Sequence, residues 1–196
     1  MSPKTIISVK DLYKSYGDFK AVQGISFEVL EGEIFGLLGP NGAGKSTTLE
    51  IIETLREKTS GEIIVDGLDL DKSPEAIKKI IGVQLQSSGF YPSLNLTELI
   101  QLFMGLYQHE VDPLELLKKV NLEEKAKSKY KQLSGGQKQR FSIATTLINN
   151  PKIIFLDEPT TGLDPQARRN LWDLIKEISD NGTTVIITTH RSEEHT

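Results

Sequence analysis

The chain has no cysteine among its 196 residues, only one tryptophan, two methionines and three histidines. Without cysteine there is no disulfide framework, thiol nucleophile, iron–sulfur cluster or cysteine-ligated zinc. The absence suits a reducing cytosol without requiring one. Positive charge is also short: 23 Lys+Arg against 27 Asp+Glu leave a formal net charge of −4. Sequence-independent binding to nucleic acid needs a basic surface, so no nucleic-acid partner is expected. Long apolar runs are missing as well. A membrane-spanning helix needs about 20 largely apolar residues, whereas the best runs are Ile153 to Leu156 and Val185 to Ile187. The N-terminal Met1-Ser2-Pro3-Lys4 leads into a strand-like stretch rather than an apolar signal core. A role at a membrane would therefore come through a partner.

What is present reads as one globular domain. Hydrophobic residues make up 37%, with 16 glycines besides, which is ordinary for a folded protein. The length suits a single unit, residues 1–196, whose core needs neither disulfides nor a structural metal. Ile6 to Leu12 and Phe19 to Val29 pattern as two antiparallel strands around a Gly17-Asp18 turn. Short apolar strands are expected at Glu33 to Leu38, Gly61 to Val65, Ile80 to Leu85, Ile153 to Leu156 and Thr183 to Thr188. Helical spacing runs from the glycine-rich segment to about Leu55, and over Thr97 to Tyr107, Pro113 to Val120, Gly135 to Asn149 and Asp164 to Ser179. Alternating strands and helices, with several strands apolar on both faces, predict an α/β core with a mostly parallel sheet flanked by helices. Residues 87–136 break the alternation, being mostly helical, and read as an inserted helical subdomain. The lysine-rich stretch Lys118 to Lys131 reads as a solvated face rather than a nucleic-acid patch.

Gly39-Pro40-Asn41-Gly42-Ala43-Gly44-Lys45-Ser46 follows a strand and opens a helix. It fits the G-x-x-x-x-G-K-[ST] pattern, and each residue type has a physical reason. Glycines let successive backbone N–H groups point inward as an anion-binding nest. The following helix aims the positive end of its dipole at the same phosphates. Lys45 can reach β- and γ-phosphates, and the Ser46 hydroxyl can ligate Mg²⁺.

A second motif, Ile153-Ile154-Phe155-Leu156-Asp157-Glu158, is an apolar strand ending in two carboxylates. Ligands of parallel sheets bind beyond the carboxyl ends of the strands. Asp157 is thus expected near the phosphate loop, holding Mg²⁺ through water, with Glu158 orienting or deprotonating an attacking water.

Leu133-Ser134-Gly135-Gly136-Gln137 resembles the signature motif of ATP-binding cassette (ABC) proteins, and with the two motifs above the chain resembles their nucleotide-binding domain from Ile6 to His190. The resemblance implies a P-loop NTPase core, ATP and Mg²⁺ as ligands, and ATP hydrolysis with Glu158, His190, Gln86 and Lys45 as the acting residues. It implies a nucleotide site made of Tyr16, Gly39, Pro40, Asn41, Gly42, Ala43, Gly44, Lys45, Ser46, Thr47 and Thr48. Tyr16 matches the adenine-stacking aromatic, with Tyr13 as its rival. Gln86 matches the glutamine that links Mg²⁺ to the membrane-domain contact, so the implied metal set is Ser46, Gln86 and Asp157. His190 matches a switch histidine on the γ-phosphate. Ser134, Gly135, Gly136, Gln137 and Asp164 are implied to complete the site of a second copy. By itself, Ser134 before a helix also reads as an N-cap.

Gly36 to Gly44, with Arg169, Trp172 and Gly182, resembles the exporter branch that serves drugs, sodium, lipids or polysaccharides. The resemblance thus implies an ATPase subunit on the cytoplasmic face of the cell membrane, partnered by a membrane permease and a second ATPase domain. Cassettes of that family continue past the switch histidine, whereas this chain stops six residues after His190, so a C-terminus shortened relative to the family is expected. A soluble ABC ATPase acting on ribosomes or DNA, and a non-enzymatic nucleotide-binding regulator, stay open as alternatives.

Overall fold

The computed structural model describes residues 4–84 and 90–189. Two four-stranded sheets form its frame. β1 (Thr5–Tyr16) and β2 (Phe19–Leu30) make the expected antiparallel hairpin, and β4 (Ser60–Val65) and β5 (Leu68–Asp69) extend it in the order β2-β1-β4-β5. The second sheet is parallel, in the order β3-β8-β7-β6, built from β3 (Ile34–Leu38), β6 (Ile81–Val83), β7 (Ile153–Asp157) and β8 (Thr184–Thr189).

The parallel sheet shows how side-chain alternation divides the core. Successive residues of a strand point to opposite faces. Ile154, Leu156, Val185 and Ile187 join one apolar cluster, and Ile153, Phe155 and Ile186 join the other. The first cluster holds Leu99 and Phe103 of α3 (Leu96–Tyr107), Leu116 and Leu117 of α4 (Pro113–Lys119), Phe141 of α5 (Gly135–Thr146) and Leu174 of α6 (Pro165–Asp180). The second holds Leu49, Ile51 and Ile52 of α1 (Lys45–Ile52) together with Ile7, Val9 and Ile63 of the antiparallel sheet. α1 is thus clamped between the two sheets. β8 reads Thr-Val-Ile-Ile-Thr-Thr with every residue buried, as expected of a β-branched strand covered on both faces.

Helix ends differ from the periodicity, and local chemistry explains why. α1 stops at Ile52 because Thr54 is left-handed (φ 64), and the N–H groups of Leu55 and Arg56 both return to the Glu50 carbonyl. α5 stops at Thr146, where the hydroxyls of Thr145 and Thr146 donate to the carbonyls of Ser142 and Ile143. A short helix that the spacing did not predict, α2 (Pro74–Lys78), begins with proline in its first turn after Ser73. β6 ends at Val83, before Gln84, which the spacing includes, and Leu85 lies outside the described residues.

Between residues 90 and 134 the described chain is helix, 3-10 turn and loop, with one isolated bridge, Asn95 to Lys129. Asn95 caps α3 with a reciprocal pair of bonds to Glu98, at 2.9 and 2.8 Å. Phe90 ties this segment to α5, its ring centroid 4.7 Å from Tyr130, 5.3 Å from Phe141 and 5.7 Å from Phe103. Lys118, Lys119, Lys125, Lys127, Lys129 and Lys131 are exposed. No helix of the described residues is long and apolar enough to cross a membrane.

Candidate nucleotide site

The phosphate loop lies between β3 and α1. Gly44, the residue before the helix, is left-handed (φ 84), and a Cβ there would stand 2.3 Å from the Ala21 carbonyl oxygen. Only glycine permits both the dihedral and the approach, so the loop is pressed against β2. Lys45 is buried, and its Nζ donates to the carbonyls of Gly39 at 2.7 Å and Pro40 at 3.0 Å. These bonds fold the loop around the ammonium group.

Alternation along β7 places Asp157 on the same face as Ile153 and Phe155, toward α1. There the Ser46 hydroxyl donates to Asp157, at 3.2 Å to Oδ2 and 3.5 Å to Oδ1. Two residues 111 apart in sequence are thus joined at the helix start. Thr188 stands opposite Asp157 on β8 and donates its hydroxyl to Asp157 Oδ1. The same Thr188 oxygen accepts from the Glu158 N–H at 3.0 Å. Thr188 was not singled out in the sequence. Its signal is its register opposite Asp157, legible only once the strands are paired.

Continued alternation would send Glu158 to the opposite face. Instead the strand ends in a left-handed residue, Glu158 at φ 48. Its side chain lines a cavity of about 340 Å³ together with Phe19, Ala21, Asn41, Gly42, Gly44, Lys45, Ser46 and Thr47. Thr161 donates its hydroxyl to Glu158 Oε2 at 3.2 Å. The cavity thus joins a backbone nest, an ammonium, a hydroxyl and a carboxylate. Ser46 and Asp157 offer hard oxygen donors of the kind that suits Mg²⁺. Thr48 is buried and donates its hydroxyl to the Gly44 carbonyl at 2.8 Å, so it braces the helix start. Glu53, at the far end of α1, is buried beneath this site. Burial, and then the charges of Asp157 and Glu50, push its carboxyl up to about 8.

The other expected residues are distributed as follows. Tyr16 is partly exposed, with Lys14 Nζ 4.8 Å and the Arg56 guanidinium 5.5 Å from its ring centroid. Its rival Tyr13 lies with its hydroxyl against Gly24. Phe19 and Ala21, which line the cavity, were not foreseen as site residues. Ser134 caps α5, accepting from the Gln137 N–H at 3.3 Å while Gln137 Oε1 accepts from the Ser134 N–H at 2.9 Å. Asp164 caps α6 through the N–H groups of Gln166 and Ala167. Gly136 packs on Ala167. Ser134, Gly136, Gln137 and Asp164 share a second cavity of about 240 Å³ with Arg140, Gln166, Ala167 and Asn170, and no residue lines both cavities. Gln86 and His190 lie outside the described residues.

A parallel strand, glycine-rich phosphate loop and helix, closed by a strand-end carboxylate on the helix's first hydroxyl, define a P-loop nucleotide-binding domain. The family model described as "ABC transporter" matches residues 22–161. The chain belongs to that family. It is 39% identical over 194 residues to the linearmycin resistance ATP-binding protein LnrL of Bacillus subtilis, covering 96% of this chain and 62% of that protein. It is 39% identical over 195 residues to the Nod factor export ATP-binding protein I of Rhizobium etli, covering 97% of this chain and 62% of that protein. The chain therefore spans less than two thirds of the length of these relatives. Among solved structures it matches the ADP conformation of an ATP-binding cassette of an ABC transporter with a TM-score of 0.88 at 25% identity, covering 97% of this chain and 83% of that one. A dimeric post-hydrolysis cassette bound to ADP and Pi matches with a TM-score of 0.81 at 33% identity, covering 96% and 89%.

Proposed function

We propose that the chain is the ATP-hydrolysing cassette of an ABC exporter, docked on the cytoplasmic face of the cell membrane through a separate permease. The observation that carries this reading is the junction of Ser46 with Asp157, 3.2 Å apart, beside a cavity that Lys45 and Glu158 share. The loop N–H groups and Lys45 bind the β- and γ-phosphates. Ser46 and Asp157, with Gln86, would hold Mg²⁺, which when bound offsets charge on the phosphate oxygens. Glu158 accepts a proton from water as that water's oxygen attacks the γ-phosphorus, and the bond to the β-phosphate oxygen breaks. Tyr16 contacts the base and His190 the γ-phosphate, as the family resemblance implies. We take residues 87–136 as the inserted helical subdomain that, with Gln86, passes closure to the permease.

The separation of the Ser134 cavity from the phosphate-loop cavity within one chain supports a site completed by a second copy. Two chains related by a two-fold axis would each lend Ser134, Gly135, Gly136, Gln137 and Asp164 to the other's nucleotide. The test is Glu158→Gln, which keeps shape and hydrogen bonding but removes the base. ATP binding should persist, hydrolysis should fall about 10²–10⁴-fold, and an ATP-bound dimer should accumulate on gel filtration. Near-normal turnover would remove Glu158 from the chemistry.

A further inference from the structure

The β1–β2 hairpin ends on two aromatic residues that stand opposite each other, Tyr16 and Phe19. Directly opposed residues on an antiparallel ladder share a face. Their surroundings differ. Tyr16 carries Lys14 and Arg56 over its ring, and Arg56 is itself anchored on Glu50 at 2.6 Å. Phe19 is 64% exposed, and it lines the phosphate-loop cavity together with Ala21, the extra residue where the β1–β2 register shifts between Lys20 and Val22. The position of that wall is set by backbone contact, because Gly44 abuts the Ala21 carbonyl. Phe19 and Ala21 form the apolar side of a cavity whose remaining side chains, Asn41, Lys45, Ser46, Thr47 and Glu158, are polar.

We propose that Phe19 contacts the nucleobase directly, adding an aromatic wall to the site beyond Tyr16. The proposal rests on the ATP reading of the phosphate loop. With the triphosphate held by the loop backbone and Lys45, the base extends away from the polar end, and the apolar wall is where a flat π-face can be covered. A phenyl ring has no hydrogen-bonding group, so it holds the base through its face rather than its edge.

The test compares two ligands in the presence of Mg²⁺, ATP and inorganic tripolyphosphate, which has the phosphates but no base. Calorimetric titration of Phe19→Ala should show ATP binding weakened about five- to a hundredfold and tripolyphosphate binding unchanged. Phe19→Tyr, which keeps the ring, should bind ATP as the parent does. Lys45→Ala should weaken both ligands. An unchanged ATP affinity in Phe19→Ala overturns the base contact, and so does an equal loss for tripolyphosphate, which would mark a general change of the site. If Lys45→Ala leaves both ligands unchanged, the phosphate-loop reading fails and the base contact fails with it. Loss in Lys45→Ala without loss in Phe19→Ala overturns the base contact alone.

Discussion

Glu53 yields a prediction with a definite sign. It caps the C-terminal end of α1 and is only 6% exposed. Ser46, Glu50 and Glu53 stand at i, i+4 and i+7, on one face of the helix, and Ser46 on that face meets Asp157. Burial first, then repulsion from Asp157 and Glu50, raises the Glu53 carboxyl from 4.5 to about 8. An acid whose folded pKa exceeds its unfolded pKa binds its proton more tightly when folded. Its contribution to stability is therefore fully present below the unfolded value and is lost as pH rises through the folded one. Across the window from 4.5 to about 8, a loss of about 1.4 kcal/mol per pH unit amounts to at most about 5 kcal/mol. Glu53→Gln keeps the shape and removes the titration. Urea unfolding of both proteins, repeated at unit steps of pH across that window, isolates the effect in the difference between them. The variant should gain on the parent by about 3–5 kcal/mol from the acid end to the alkaline end. Asp66, which hydrogen bonds from Lys152 and Lys4 hold below the usual carboxylate range, titrates beneath the window and cancels in the difference. A difference that does not change with pH would refute the reasoning, because Glu53 would then titrate alike in the folded and unfolded chains.

Other perturbations test the site. Lys45→Ala removes a charge-assisted contact of about 1.5–3 kcal/mol, so ATP affinity should fall roughly ten- to a hundredfold by fluorescent-nucleotide titration; an unchanged affinity in the folded variant would count against the loop's role. Gly44→Ala sets a side chain at φ 84 with its Cβ 2.3 Å from the Ala21 carbonyl, and should cost about 1–3 kcal/mol in backbone strain alone; a melting temperature equal to the parent's would show that β2 yields freely. Mixing the inactive variants Lys45→Ala and Ser134→Arg should restore about a quarter of wild-type hydrolysis if sites are shared and independent, since half the dimers are mixed and each has one intact site. Confirmed mixed dimers that neither recover activity nor trap nucleotide would argue against the shared site.

The loop's shape was legible because it is local: its glycines set the backbone, and Lys45 folds it through bonds to the Gly39 and Pro40 carbonyls six and five residues away. Asp157 was nearly as legible. A five-residue strand with side chains alternating across a parallel sheet must place that carboxylate at the carboxyl end of the strand, and alternation from Phe155 puts it on the side of α1. The Ser134 motif carried its own capping geometry, again through neighbours three residues apart.

Other features depended on residues far apart in the chain coming together. Thr188 joins the site through strand pairing with Asp157. Glu158 was expected beside the phosphate loop from the sequence, but the left-handed turn that carries it into the cavity, against the period-2 alternation of β7, shows only in the folded backbone. Phe19 lines the cavity because Gly44 packs against β2. Glu53 is an ordinary acid in the helical pattern, and only the clamping of α1 between two sheets buries it beside Asp157's charge. Local sequence thus determined which groups could bind phosphate, through the backbone geometry they impose on their own neighbours. Tertiary packing decided which side chains surround them and how far a carboxylate shifts, because both depend on the distance and solvent exclusion that strand pairing and sheet stacking create.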